Sequence, residues 1–148
     1  MISITRALHF DAGHRIPDHN SQCRNLHGHR YTIEITLTGP VSTSAGASDS
    51  GMVMDFSDVK TIAHHHVVDL WDHAFLVYDG DQPVRDFLAS MPDHKTVVLD
   101  RIPTVENLVR IAFDLLAPAY ENQFGKALKL THVRLYETPN CWADCYGE

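Results

Sequence analysis

Three observations predict an α+β fold in which an antiparallel four-stranded sheet carries two helices packed on one face. Tyr31 to Gly39 alternates residue by residue: Tyr31, Ile33, Ile35 and Leu37 on one side, Thr32, Glu34, Thr36 and Thr38 on the other. That is the period of a half-buried antiparallel strand. Two later stretches, around Val59 to Leu70 and Val105 to Leu116, repeat at three- and four-residue steps instead, the period of a helix with one buried stripe. Finally, strands gather at the two ends of the chain with the helices between them, the order of an α+β rather than a parallel α/β fold.

In chain order, Ile2 to Phe10 reads as the first strand and His14 to His29 as a polar, irregular excursion before the alternating strand. Pro40 to Gly51 is rich in Ser, Gly and Ala and reads as a loop. Met52 to Phe56 reads as a short strand entering a helix capped by Ser57. Val59, Ile62, Ala63, His66, Val67 and Leu70 form its inner stripe, leaving His64 and His65 toward solvent. Asp79 to Lys95 shows little pattern and reads as polar loop, followed by a short extended piece, Thr96 to Leu99. The second helix starts at Thr104 as cap, buries Val105, Leu108, Val109, Ala112, Leu115 and Leu116, and is predicted to end at Pro118 and Gly125. Leu128 to Glu137 is a strand, Thr138-Pro139-Asn140 a turn, and Cys141 to Tyr146 a last extended piece. With 148 residues, no repeat and no linker, residues 1–148 are expected to form a single domain.

Composition narrows the function. Hydrophobic residues at 44% and charged residues at 21% fit a soluble globular chain. No apolar run reaches the roughly 18 residues of a membrane span, and Met1 to Arg6 lacks a secretory pattern, so neither a membrane nor export is expected. Three cysteines are too few, and odd in number, for a disulfide framework, which points to reduced thiols and the cytoplasm. A net charge of −7 disfavours nucleic acid as the main partner. Residues 1–30 go against that trend, with Arg6, Arg15, Arg24 and Arg30 against Asp11 and Asp18 and with five of the eleven histidines.

Within that region, His27-Gly28-His29 leads into the alternating strand, and residues two apart on a strand share a face. Both imidazoles therefore project on the side of Tyr31 and Ile33. His14 becomes a third ligand if the first two strands pair, giving three nitrogens and an open fourth position, the pattern of a catalytic zinc site. Gly28 permits close approach between those ligands. His64, His65 and His66 cannot chelate one ion together, because one faces inward and two outward. Cys23 lies four residues before His27 beside Arg24, and a nearby cation favours its thiolate. Asp55 reads as a helix-entry residue, Trp71 and Trp142 as packing residues, and Cys141 and Cys145 as free thiols.

The string Cys23-Arg24-Asn25-Leu26-His27-Gly28-His29 resembles the C-x3-H-G-H signature of the 6-carboxytetrahydropterin synthases, a branch of the 6-pyruvoyltetrahydropterin synthase superfamily. Five further stretches resemble that superfamily in order: Phe10 to Arg15, Gly51 to Phe56, Trp71-Asp72-His73, Pro103 to Asn107 and Tyr136-Glu137-Thr138. The three-residue gap between Cys23 and His27 resembles the carboxy-forming branch more than the pyruvoyl-forming one. The resemblance implies the tunnelling fold, with subunits joining sheets into barrels as a homohexamer (a dimer of trimers). It also implies Zn2+ on His14, His27 and His29, and 7,8-dihydroneopterin triphosphate as substrate. The products would be 6-carboxytetrahydropterin, acetaldehyde and triphosphate, on the way to 7-deazapurines such as queuosine. Cys23 would then accept a proton, and Asp72 and His73 would act as a relay pair. Glu137 would take part in catalysis and grip the amino-pyrimidine edge of the pterin, remote from the ion, with Thr104 a further substrate contact. Arg15, Arg24 and Arg30 would be candidates for the triphosphate tail. The segment from Val77 to Asp100 is longer than in compact relatives, which affects the rim of the site. The alternatives are the pyruvoyl-forming activity on the same fold and a non-catalytic histidine-rich metal-binding protein.

Overall fold

The structure is a computed structural model that describes residues 1–148. Its spine is a long hairpin. β1 (Ile2–His14) and β2 (His27–Gly39) pair antiparallel without interruption from Ile2↔Gly39 to His14↔His27. Both histidines of that last pair therefore belong to the ladder, and the excursion outside the sheet shrinks to residues 15–26, with one 3-10 turn at Gln22–Arg24. β5 (Lys129–Thr138) pairs with β2, and β6 (Cys141–Tyr146) with β5, both antiparallel.

Those four strands are the predicted antiparallel unit, but the sheet does not stop there. β3 (Ala74–Tyr78) joins β1 in parallel and β4 (Thr96–Leu99) joins β3 in parallel, giving six strands in the order β4-β3-β1-β2-β5-β6. The sheet is thus six-stranded and mixed rather than four-stranded and antiparallel. β3 escapes a period-two reading because Ala-Phe-Leu-Val-Tyr is packed on both faces, so apolar residues run on without alternation. Parallel neighbours need a long crossover, and it lies in the segment read as polar loop: α3 (Gln82–Ala89), with Pro83 in its first turn. Its Val84 and Leu88 pack on Val77 and Phe75, whereas Ala74 and Leu76 join the main core. Because alternate strand residues point to opposite faces, α3 covers the side of the sheet away from the main core.

On the main face lie α1 (Phe56–Ala63), its continuation through a π turn at His64–Val68 into α2 (Asp69–Trp71), and α4 (Val105–Phe124). Asp55, not Ser57, caps α1: its carboxylate accepts from the Ser57 backbone N–H at 2.7 Å, and Met52 to Asp55 is irregular rather than a strand. The wider π turn inserts a residue and rotates the buried face. Val67, Val68 and Trp71 turn inward, and Leu70 is left exposed. α4 begins at Thr104, whose Oγ1 accepts from the Asn107 N–H at 3.2 Å, and it runs through Pro118 to Gly125 at φ +78°. Proline removes one helical hydrogen bond, yet Leu116 and Tyr120 on either side are fully buried and hold the helix together. Leu115 is exposed, one position off the inner stripe. Tyr31, Ile33, Ile35 and Leu37 fill the layer between sheet and helices as their alternation predicts, all fully buried. No helix is long and apolar enough to cross a membrane.

Two substitutions test this packing. Ile35 sits mid-strand with no exposure, so Ile35→Ala should cost about 2–5 kcal/mol. The Tyr120 hydroxyl donates to the Val59 carbonyl at 2.8 Å, and Tyr120→Phe should cost about 1 kcal/mol. Urea denaturation at unchanged m-value reads both.

Candidate metal centre

The register that pairs His14 with His27 and Ala12 with His29 brings three imidazoles to the loop end of the β1–β2 hairpin, on the core face. One nitrogen from each lies within 4.8 Å of the others, and no other group of three potential donors converges in the chain. Between His27 and His29, Gly28 has no room for a side chain: a Cβ there would stand 2.9 Å from the Ala12 carbonyl oxygen. The glycine lets the two strands meet at the histidines.

Hydrogen bonding fixes which nitrogen is free. Carbonyl oxygens only accept, so His14 Nδ1–H donates to Pro103 O at 2.7 Å and His27 Nδ1–H donates to Asn25 O at 2.6 Å. Each leaves its Nε2 as a lone pair. Burial pushes the His14 pKa down to about 4, with repulsion from His27 and His29 adding to the shift and the Pro103 bond opposing it. Burial also lowers the pKa of His29, with Glu137 opposing and His27 adding. His14 and His29 therefore stay neutral near pH 7. Their Nε2 atoms are buried without a hydrogen-bond partner. Buried polar atoms seldom go unsatisfied, and two neutral ones facing the same point fit a divalent metal bound by imidazole.

Glu137 completes this cluster, which corrects the expectation that it lies remote from the ion. Tyr136 pairs with Trp142 and Thr138 with Cys141, so Glu137 is the extra residue of a β-bulge, turned to the core face. Its Oε1 stands 3.2 Å from His29 Nε2, in contact with the ring but out of line for a hydrogen bond. The Tyr31 hydroxyl is a second group that sequence reading used only as a marker of the face. It lies 3.4 Å from His14 Nδ1, and burial, reinforced by Glu137, raises its pKa and keeps the phenol neutral. Parity with His29 was the available signal for Tyr31. The Pro103 carbonyl, being backbone, had none. Thr104, next to Pro103, spends its hydroxyl capping α4.

Other predicted residues lie outside this cluster. Cys23 is half-buried in the 3-10 turn, and its carbonyl accepts from the Ile16 N–H at 2.7 Å. Asp72 and His73 do pair, at 2.9 Å. Both also bond the backbone of Asp11: Asp72 Oδ1 accepts from its N–H at 2.9 Å, and the His73 N–H donates to its carbonyl at 2.6 Å. The Asp11 bond, helped by His73 and opposed by desolvation, holds the Asp72 pKa below the usual carboxylate range. The dyad makes no bond to the histidine cluster or to Cys23, and the His73 side chain is 77% exposed. Arg15 is committed to Asp81 and Arg30 to Asp11, whereas Arg24 makes only a 3.5 Å contact with Asn20 O. His64 bonds Asp69 at 2.7 Å, and His65 and His66 stack edge to face, so that run binds no ion together.

The His14 shift sets a pH dependence. Between pH 6.5 and about 4 the unfolded chain takes up a proton that folded His14 refuses, so stability is intact above 6.5 and falls on acidification toward 4. The loss amounts to at most about 3 kcal/mol. Melting of the metal-free protein between pH 7.5 and 4.5 should show that fall, and His14→Gln should lose much of it.

A 6-pyruvoyl tetrahydropterin synthase family model matches residues 3–148. The chain is similar over nearly its full length to proteins named 6-carboxy-5,6,7,8-tetrahydropterin synthase. That of Rickettsia bellii is 34% identical over 145 residues, covering 97% of this chain and 99% of the relative. That of Haemophilus influenzae is 30% identical over 147 residues, covering 97% and 98%. Among solved structures, 6-pyruvoyl tetrahydropterin synthase of Caenorhabditis elegans aligns with TM-score 0.67 at 25% identity, covering 99% of this chain and 96% of that one. The Plasmodium vivax protein aligns with TM-score 0.70 at 18% identity, covering 99% of both chains, a likeness of fold.

Proposed function

The chain belongs to the 6-pyruvoyl tetrahydropterin synthase family, and from that premise we propose that it is a zinc-dependent 6-carboxy-5,6,7,8-tetrahydropterin synthase. It would act as a carbon–carbon lyase on 7,8-dihydroneopterin triphosphate. With one water consumed, the products are 6-carboxytetrahydropterin, acetaldehyde and triphosphate, in the cytoplasm and on the way to 7-deazapurines such as queuosine. The observation that carries this reading is the convergence of His14, His27, His29 and Glu137 at the end of one hairpin, with two buried imidazole nitrogens lacking partners.

His14, His27 and His29 would hold the ion, which when bound supplies a Lewis acid to polarise the side-chain oxygens of the substrate. The Pro103 and Asn25 carbonyls keep two of those rings in the right tautomer and orientation. Glu137 is assigned to the amino-pyrimidine edge of the pterin, whose paired N–H groups suit a bidentate carboxylate. Its contact with His29 supports a single site in which the ring would lie next to the metal ligands. Thr104, at the start of α4 next to Pro103, is the further substrate contact in this reading. Cys23 takes the proton from the substrate side chain, and Asp72 with His73 sets the protonation of the site. Arg24 is the free guanidinium for the triphosphate.

The active form in this reading is a homohexamer, a dimer of trimers. Two features support it: β4 and β6 leave unpaired sheet edges, and the exposed Asp72–His73 pair makes no hydrogen bond to the cluster of its own chain. The pyruvoyl-forming activity is the rival, disfavoured by the Cys23–His27 spacing and by the names of the full-length relatives.

Metal analysis of the purified protein should find one zinc per chain, lost in His27→Ala or His29→Ala because two imidazoles bind far more weakly than three. Stoichiometric zinc in both variants would place the ion elsewhere.

Incubation with 7,8-dihydroneopterin triphosphate should release acetaldehyde and 6-carboxytetrahydropterin by mass analysis. Cys23→Ala should keep the fold and the zinc but lose turnover by at least about 10²–10⁴-fold, the usual worth of a general base. Pyruvoyl product without acetaldehyde would select the rival activity.

A further inference from the structure

Apart from tyrosine, tryptophan and cysteine, only two polar side chains in the chain are buried, His14 and Asp81. His14 is accounted for by the metal cluster. Asp81 sits just before α3, in the N-cap position, where an aspartate ordinarily bonds the first free N–H groups of the helix. It does not cap α3. Its two oxygens instead accept from Arg15, Oδ2 from Nε at 2.6 Å and Oδ1 from Nη2 at 2.5 Å, with the Asp81 side chain 2% and the Arg15 side chain 26% exposed. A carboxylate has been drawn away from its local role into a buried two-pronged bond with a residue far off in sequence.

Arg15 is the first residue after His14, and it opens the loop of residues 15–26 that carries Cys23 and returns at His27. That loop buries no residue of its own. Its hydrogen bonds close on itself: Ile16 N–H to Cys23 O, His19 N–H to Ile16 O, Ser21 N–H to His19 Nδ1, Asn25 N–H to Gln22 O. Beyond the final bond from His27 to Asn25 O, the loop's one hydrogen-bonded anchor on a distant element is Arg15–Asp81. Since the Ile16–Cys23 bond directly follows Arg15, the position of Arg15 sets the position of the Cys23 turn. Asp81 in turn hangs from β3 through its N–H to Tyr78 O at 2.9 Å.

We infer that Arg15 and Asp81 are positioning residues that hold the Cys23 turn at a fixed place within the loop that joins His14 to His27. The inference rests on the reading of Cys23 as proton acceptor. The guanidinium fork matters as well as its charge, since an ammonium makes only a point contact and leaves the turn free to pivot. A misplacement of about 1 Å costs roughly 10²-fold in turnover.

The test uses the zinc-loaded protein, Asp81→Asn, and the milder Arg15→Lys, which keeps the charge and loses the fork. Iodoacetamide labelling resolved by peptide mass reads Cys23, with buried Cys145 as internal reference; zinc content, melting temperature, kcat and KM are measured alongside. The expected result is full zinc, Cys23 labelling at least about tenfold faster while Cys145 is unchanged, and kcat down about 10²-fold with KM nearly constant. Wild-type labelling and kcat in both variants would overturn the inference. So would parallel acceleration of Cys145, or loss of the folded zinc protein in both variants, because the pair would then hold the whole fold rather than the turn. Cys23→Ala separates the two claims: if it turns over normally the proton-acceptor reading fails, whereas the labelling result still judges the clamp.

Discussion

A slip of one residue in the β1–β2 register would turn a strand's whole set of side chains to the other face of the sheet. In this chain that register does two jobs at once. It places Tyr31, Ile33, Ile35 and Leu37 under the helices, and by the same parity it places His14, His27 and His29 on the core face at the hairpin's loop end. The hydrophobic residues therefore set the geometry of the polar ones. Slipping the ladder would expose four large apolar side chains, each worth about 1.5–3 kcal/mol when buried, so the histidines are held in place by a core they do not belong to.

That arrangement has a cost concentrated at the site. Two imidazole nitrogens are buried without partners, and each such atom costs about 1–3 kcal/mol. Backbone carbonyls from two separate segments, Pro103 before α4 and Asn25 before β2, already occupy Nδ1 of His14 and His27 and fix the rings. A carboxylate enters from a third segment through the bulge at Glu137. The surroundings favour neutral imidazoles, and a metal ion bound there would offset the desolvation of the two unpartnered nitrogens.

Much of this was legible in the sequence, and the exceptions share physical causes. Alternation in Tyr31 to Gly39 revealed the inner face, and the His27-x-His29 spacing then predicted the convergence of those two imidazoles with His14. Thr104 as a cap and Asp55 as a helix-entry residue follow from local chemistry. β3 was hidden because a strand packed on both sides has no period, and α3 because its Val84 and Leu88 stripe is short and set among polar residues. Thr96 to Leu99 did read as extended, but its parallel place beside β3 had no local signal. The π turn at His64–Val68 shifts Leu70 outward by inserting a residue that no helical template contains. Glu137 beside His29 depends on a bulge, and Asp81 beside Arg15 on a tertiary contact; neither leaves a mark on local sequence.

The central claim is that three imidazoles from the β1–β2 hairpin bind one ion and leave Cys23 free of it. X-ray absorption at the zinc edge of the protein as purified tests this most directly. Three nitrogen ligands at about 2.0–2.1 Å with a light oxygen or nitrogen fourth neighbour, and no sulfur, is the predicted result. A sulfur shell at about 2.3 Å would contradict it, making Cys23 a ligand and the site closed.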